Sequence, residues 1–214
     1  IADSSGFMPG SASTAADVVR LGLAALKNPV VAQIVQQKEA EVPMAGRLHS
    51  TNALLGQGGI IGIKTGNTDE AGGCFVAASV QTYEGGQSVT VVSAVLGAPT
   101  LIDAMNSTKP LLARTKLGFG DTIVITAGQQ FGSVTSAWGS RSAIIADQDV
   151  NLFGWQFGKP IITTSLMASG VAKDASAGST NVKFGQAQQT IQLKQSNSLG
   201  TPSLWWRLRH IFSR

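Results

Sequence analysis

The sequence predicts an α+β fold: an antiparallel sheet with helices, then a small all-β domain, then a short amphipathic helix. Three observations predict it. Residues 14–35 carry apolar side chains at helical spacing. Residues 59–96 hold three apolar runs separated by turn residues, and a helix-like stretch follows them. After Gly118-Phe119-Gly120 the apolar runs become short and β-rich, each bounded by turns.

Taken in order, residues 1–12 read as loop. Thr14 is placed to cap the first helix, with Asp17 in its acidic first turn. Val18, Leu21, Ala25 and Leu26 share one face of that helix. Pro29 ends it or opens a second helix, which carries Val30, Val31, Ile34 and Val35 and stops before Pro43. Residues 44–59 read as a glycine-bearing connection. Residues 59–66, GIIGIKTG, read as a strand ending in a tight turn. CFVAASVQ at 74–81 and SVTVVSAVL at 88–96 are two more strands, joined through Tyr83–Gln87. Residues 100–115 are helix-like, with Pro110 expected to kink or interrupt them and Leu101, Met105, Leu111 and Leu112 expected to be buried.

In the second domain TIVIT, SAIIA, VNLFGW, IITT and QTIQLKQ are strands, and the small polar residues 172–181 read as loop. The expected divisions are 1–118, 119–198 and a tail, 199–214. In the tail Leu204, Trp205, Leu208, Ile211 and Phe212 fall on one helical face, and Arg207 and Arg214 lie away from it. Such a helix either docks on its own protein or lies in a membrane interface. The second reading is favoured: Trp205 and Trp206 would sit at headgroup depth, and Arg207 and Arg209 would face anionic lipid.

Composition narrows the partners. Of 214 residues 43% are apolar and 13% charged, and 25 are glycine without a fixed period, which excludes a fibre and a disordered chain. The net charge of +4 is mild. Trp138, Phe153 and Trp155 have no basic patch beside them, which argues against nucleic acid. Cys74 is the one cysteine, and His49 and His210 are the two histidines, so no internal disulfide can form and a zinc enzyme is disfavoured. No cofactor or metal is expected. Cys74 reads as a buried inert thiol, His49 as a surface residue, and Asp69-Glu70 as a turn cap.

The sharpest local motif is Lys64-Thr65-Gly66 at the end of an apolar strand. A lysine there supplies positive potential, a threonine hydroxyl can bind a carboxylate, and glycine lets a peptide lie against the backbone. The next N–H, at Asn67, can donate to an oxyanion. A solvated lysine in a β-turn is the plain alternative.

Longer stretches resemble one family. DSSGFMP at 3–9, Thr14–Val18, TNALL at 51–55 and GIIGIKTGNTDEAG at 59–72 resemble the penicillin-binding D-alanyl-D-alanine carboxypeptidases, and PSLWWRLRH at 202–210 is similar to their carboxyl-terminal ending. The resemblance implies a partial β-lactamase/transpeptidase-like domain. It implies a serine and a lysine from an S-x-x-K helix, and a serine and an asparagine from S-x-N. The serine attacks the bond between two terminal D-alanines, or a β-lactam carbonyl, and water releases the acyl-enzyme. Lys64 would then assist proton traffic and draw the substrate carboxylate, Thr65 would bind it, Gly66 would be the spacer, and Asn67 would give one oxyanion donor.

No lysine of the chain has a serine three places before it. S-x-N occurs at Ser50-Thr51-Asn52 and Ser179-Thr180-Asn181; the first matches the family's own Thr-Asn before its Leu-Leu pair, and the second lies in the β domain. The nucleophile is therefore expected upstream of Ile1, on the same polypeptide or on a separate chain. Residues 97–108 lack the arginine that the family often places after its third strand. Peptidoglycan stem peptides, β-lactams and a membrane surface are the implied partners. The implied location is extracytoplasmic, in the cell envelope, peripheral on the outer face of the bacterial cytoplasmic membrane. Two rival readings stay open: a non-catalytic wall- or membrane-associated domain, and a β-lactamase-like hydrolase.

Overall fold

The computed structural model describes residues 3, 5–8, 10–167 and 170–210. The chain forms two units, Ile1–Leu117 and Gly118–Arg214.

In the first unit α1 spans Ala15–Leu26, and the Thr14 hydroxyl accepts from the Asp17 N–H at 3.2 Å. Asn28 caps α2, Pro29–Val35, whose first residue needs no N–H partner. α2 ends well before Pro43, because the chain turns into an antiparallel hairpin of β1, Glu39–Val42, and β2, Gly46–His49. The expected connection over 44–59 thus contains a strand. The hairpin alternates, with Ala40 opposite Leu48 and Val42 opposite Gly46 on one face and Glu39 opposite His49 and Glu41 opposite Arg47 on the other, but its strands are only four residues long, too short for that periodicity to stand out.

β3, Ile60–Thr68, β4, Gly72–Thr82, and β5, Ser88–Ala98, form an antiparallel sheet in that order. α3, Leu101–Leu117, follows. Alternation on β4 sends Phe75 and Ala77 to one face and Val76 to the other. Phe75 and Ala77 join Ala104, Met105 and Leu112 of α3 in the core, with Leu54 and Ile60. On the opposite face α1 meets the sheet at Gly22, where a β-carbon would lie 3.4 Å from Val76 Cγ1 and 3.2 Å from Val92 Cγ1.

Three details differ from expectation. β3 does not turn after Gly66; it runs on to Thr68, and the turn falls at residues 69–71. Pro110 does not interrupt α3. The face α3 buries is Ala104, Met105, Thr108 and Leu112, spaced by four residues from 104 to 112, so Leu111, about 100° away, stays exposed and Leu101 is only half-buried. Leu21 of α1 is likewise exposed, because Gly22 makes the close contact.

The second unit is all-β apart from its last helix. β6, Phe119–Ile125, pairs with β9, Val150–Trp155. A five-stranded antiparallel sheet has the order β10-β11-β12-β8-β7, made of β7 Gln130–Thr135, β8 Arg141–Ala146, β10 Ile161–Leu166, β11 Ser176–Phe184 and β12 Ala187–Gln195. Ile125, Ile144, Val150, Val182, Phe184 and Leu193 are in its core. β11 overturns the predicted loop over its later part, 176–181, while 172–175 lie outside any strand. It is an interior strand whose early buried positions are Ala177, Gly178 and Thr180, too small and polar to register as an apolar run. Gly178 sits at a bulge with φ +127°, where a β-carbon would fall 2.1 Å from the Ser165 carbonyl oxygen. The Thr180 hydroxyl is satisfied by that of Thr164 at 2.9 Å.

α4, Leu204–Arg209, is capped by Ser203, whose hydroxyl accepts from the Trp206 N–H. Leu204, Trp205 and Leu208 are exposed. Trp206 is half-buried: it stacks on His210 at 4.1 Å and meets Trp138 edge-on at 6.2 Å. Ile211, Phe212 and Arg214, assigned to the tail from sequence, lie outside the described residues. Among those described, no single helix is long and apolar enough to cross a membrane.

Candidate active site at the edge of the β3 strand

Among the described residues β3 is an outer strand of its sheet, bonded to β4 on one side only. The register sets Lys64 beside Val76, Thr65 beside Phe75, Gly66 beside Cys74 and Asn67 beside Gly73. The motif therefore stands on a continuous strand with a free edge, the backbone arrangement on which an extended peptide can lie.

Lys64, Thr65 and Gly66 line a groove of 400 Å³ together with Ser5, Val18, Leu21 and Leu96. Asn67 lines an adjoining 200 Å³ hollow with Phe7, Met8 and Gly72, and Gly66 borders both. Lys64 is exposed, and its ammonium donates to the Thr65 carbonyl oxygen. Among the described residues no ion pair engages it, so its charge is available to an anion in the groove. A β-carbon on Gly66 would meet the Cys74 β-carbon at 3.5 Å, an ordinary contact, so the absent side chain opens space without relieving a clash.

The Thr65 hydroxyl lies 2.6 Å from that of Thr51. Sequence reasoning gave Thr51 no part in the site. The one signal available is TNALL preceding the strand, which enters the sequence reading as part of the family resemblance and as the end of an S-x-N match, with no task for the Thr51 hydroxyl.

The loop at the rim of the groove is organised by Asp3. Its carboxylate accepts from the Ser5 hydroxyl, from the Ser5 N–H at 3.1 Å and from the Met8 N–H at 3.2 Å. The Ser5 hydroxyl is the chief cause that holds the Asp3 carboxyl below its ordinary value; desolvation opposes it, and the N–H groups of Met8, Ser5 and Gly6 add to the lowering.

Other sequence candidates fall elsewhere. Cys74 is half-buried and lines the groove rather than the core; its thiol lies 3.6 Å from the Ala71 carbonyl oxygen. His49 is exposed on β2 beside Glu39. The turn after β3 is capped by Thr68, whose hydroxyl accepts from the Ala71 N–H, and not by Asp69 or Glu70. Trp205, Trp206, Arg207 and Arg209 belong to the second unit; Arg207 donates to the Pro202 carbonyl oxygen at 3.1 Å. No group of histidine, cysteine, aspartate and glutamate that could hold a metal occurs among the described residues.

The chain is similar to known proteins in two ways. Residues 5–100 match the family model of D-alanyl-D-alanine carboxypeptidase. Penicillin binding protein 5 from Haemophilus influenzae is 20% identical over 89% of this chain and 58% of its own, with a TM-score of 0.49. Penicillin-binding protein D2 from Listeria monocytogenes, in its cefotaxime-bound form, is 31% identical over 53% of this chain and 46% of its own, with a TM-score of 0.45. A DD-transpeptidase of Streptomyces K15 is 28% identical over 50% and 44%, with a TM-score of 0.42. The chain thus spans little more than half the length of the first of these structures. No curated protein sequence matches. The stretch that matches this family model, residues 5–100, contains the whole of β3 with its Lys64-Thr65-Gly66 motif.

Proposed function

We propose that this chain forms one wall of the active site of a serine-type D-alanyl-D-alanine carboxypeptidase. The observation that carries the reading is the Lys-Thr-Gly tripeptide on a free sheet edge, lining a groove, inside the matched segment. The complete protein removes the terminal D-alanine of a peptidoglycan stem peptide through an acyl-enzyme, and β-lactams acylate the same serine. The serine belongs to a segment with S-x-x-K and S-x-N, carried by the same polypeptide or by a partner chain.

Each residue of the wall has a task. Lys64 draws the substrate's terminal carboxylate and assists proton traffic. Thr65 donates a hydrogen bond to that carboxylate. Gly66 admits the peptide backbone. The Asn67 N–H donates to the developing oxyanion, a contribution worth about 3 kcal/mol at comparable sites.

The membrane is the second part of the reading. The exposed face of Leu204, Trp205 and Leu208 rests in the lipid interface, and Arg207 and Arg209 meet anionic headgroups. Trp206 is half-buried against Trp138, so its share of lipid contact is the smaller one. The protein then works in the extracytoplasmic cell envelope, on the outer face of the cytoplasmic membrane.

A fluorescent penicillin tests the reading. It labels the complete protein covalently, the Lys64→Ala variant labels at least tenfold more slowly, and residues 1–214 alone do not label. A folded complete protein that takes no label refutes the proposal.

A further inference from the structure

Thr51 and Thr65 bring their hydroxyl oxygens within 2.6 Å of each other, and by geometry either can be the donor. The chemistry of a bound carboxylate removes that choice. A carboxylate only accepts, so the Thr65 proton must go to it. The hydrogen between the two threonines then has to come from Thr51. We infer that Thr51 is a positioning residue for carboxylate recognition: by donating to Thr65 Oγ1 it aims the Thr65 proton into the groove. The inference rests on the reading of β3 as the carboxylate-binding wall of an acyl-transfer site.

The segment around Thr51 is built to hold it still. The Ser50 N–H donates to the Lys38 carbonyl oxygen at 2.8 Å, and the Ser50 hydroxyl accepts from the Asn52 N–H at 3.3 Å. Asn52 is 8% exposed, and its Oδ1 accepts from the Leu54 N–H at 3.1 Å, closing an Asx turn. Leu54 and Leu55, just beyond, are buried. Thr51 is thus fixed from both sides while its own side chain stays at the exposed edge, and its β-branched χ1 is stiff. This gives the Ser50-Thr51-Asn52 triplet a use other than the S-x-N role that its pattern suggests.

The test uses the complete protein with Thr51→Val, Thr51→Ser, Thr65→Val and the Thr51→Val/Thr65→Val pair. Acylation rates are measured with a penicillin and with its carboxylate methyl ester, and unfolding is followed in parallel. Thr51→Val slows acylation by the penicillin about tenfold, the scale of one hydrogen bond to a charged group. The loss on the ester, which lacks the anion, is at least threefold smaller. Thr51→Ser stays within about threefold of the parent, and Thr51→Val adds nothing to Thr65→Val. A Thr51→Val rate equal to the parent's, an equal loss on acid and ester, or additivity of the two valines overturns the inference. If the parent protein is not acylated at all, the proposed function fails and this inference with it; if the parent is acylated and Thr51→Val is indifferent, only this inference fails.

Discussion

Gln81 of β4 donates from Nε2 to the carbonyl oxygen of Leu112 in α3 at 2.8 Å, and its Oε1 accepts from the Tyr83 hydroxyl at 2.8 Å. One buried amide thereby joins the sheet to the last turns of the helix that follows Pro110. Gln81→Leu removes both bonds, while the Leu112 carbonyl oxygen keeps the Thr115 hydroxyl at 2.8 Å. We expect a loss of about 1 kcal/mol, the scale of a net hydrogen bond, read from chemical denaturation of the chain. A loss under about 0.5 kcal/mol counts against this role.

Gly73 admits the chain that leads from β5 into α3. A β-carbon there would stand 2.0 Å from the Thr100 carbonyl oxygen, which is backbone and cannot swing aside. Gly73→Ala is expected to cost about 3 kcal/mol and to lower Tm, because the β4 start and the α3 start must separate. An unchanged melting curve refutes the close approach.

The rim of the groove responds to acid. The carboxyl of Asp3 lies below its ordinary value of 3.8, so the turn is held above that pH and released as pH falls through the lower folded value. An NMR titration of the Met8 amide is expected to report a midpoint below 3.8, and Asp3→Asn abolishes the transition. A midpoint above 3.8 contradicts the turn geometry.

The two tail tryptophans separate by role. Trp205→Ala weakens binding to anionic vesicles several-fold and leaves unfolding of the second unit unchanged, since this ring is 78% exposed. Trp206→Ala removes the contacts with Trp138 and His210 and is expected to change Trp138 fluorescence, with the smaller effect on vesicles. Vesicle binding that is indifferent to Trp205 removes the membrane reading.

Sequence reading reached the elements whose signals are local. β3, β4 and β5 announce themselves by apolar runs, and the Lys64–Gly66 motif by its neighbours on the chain. β1 and β2 escape a sequence reading because each is only four residues long and carries two small or apolar positions, and β11 because its early interior is lined by alanine, glycine and threonine. The buried face of α3 was misassigned by one position at Leu111, where residue size suggested burial and the four-residue phase from Ala104 denies it. The contact of Thr51 with Thr65 joins residues from two segments, and nothing in either stretch fixes how the first returns to the second.

Thr65 stands in register with Phe75, a side chain with no exposure that packs against Ala104 and Met105. On the proposed reading of β3, a lineage under selection by an inhibitor would have two routes to an altered groove. Exchange of Lys64 or Thr65 would surrender the natural ligand along with the drug. Substitution at Ala104 or Met105, which share a core with Phe75, would leave every polar atom of the site in place, so resistance of that kind would be written in the interior of the protein and invisible in its motif.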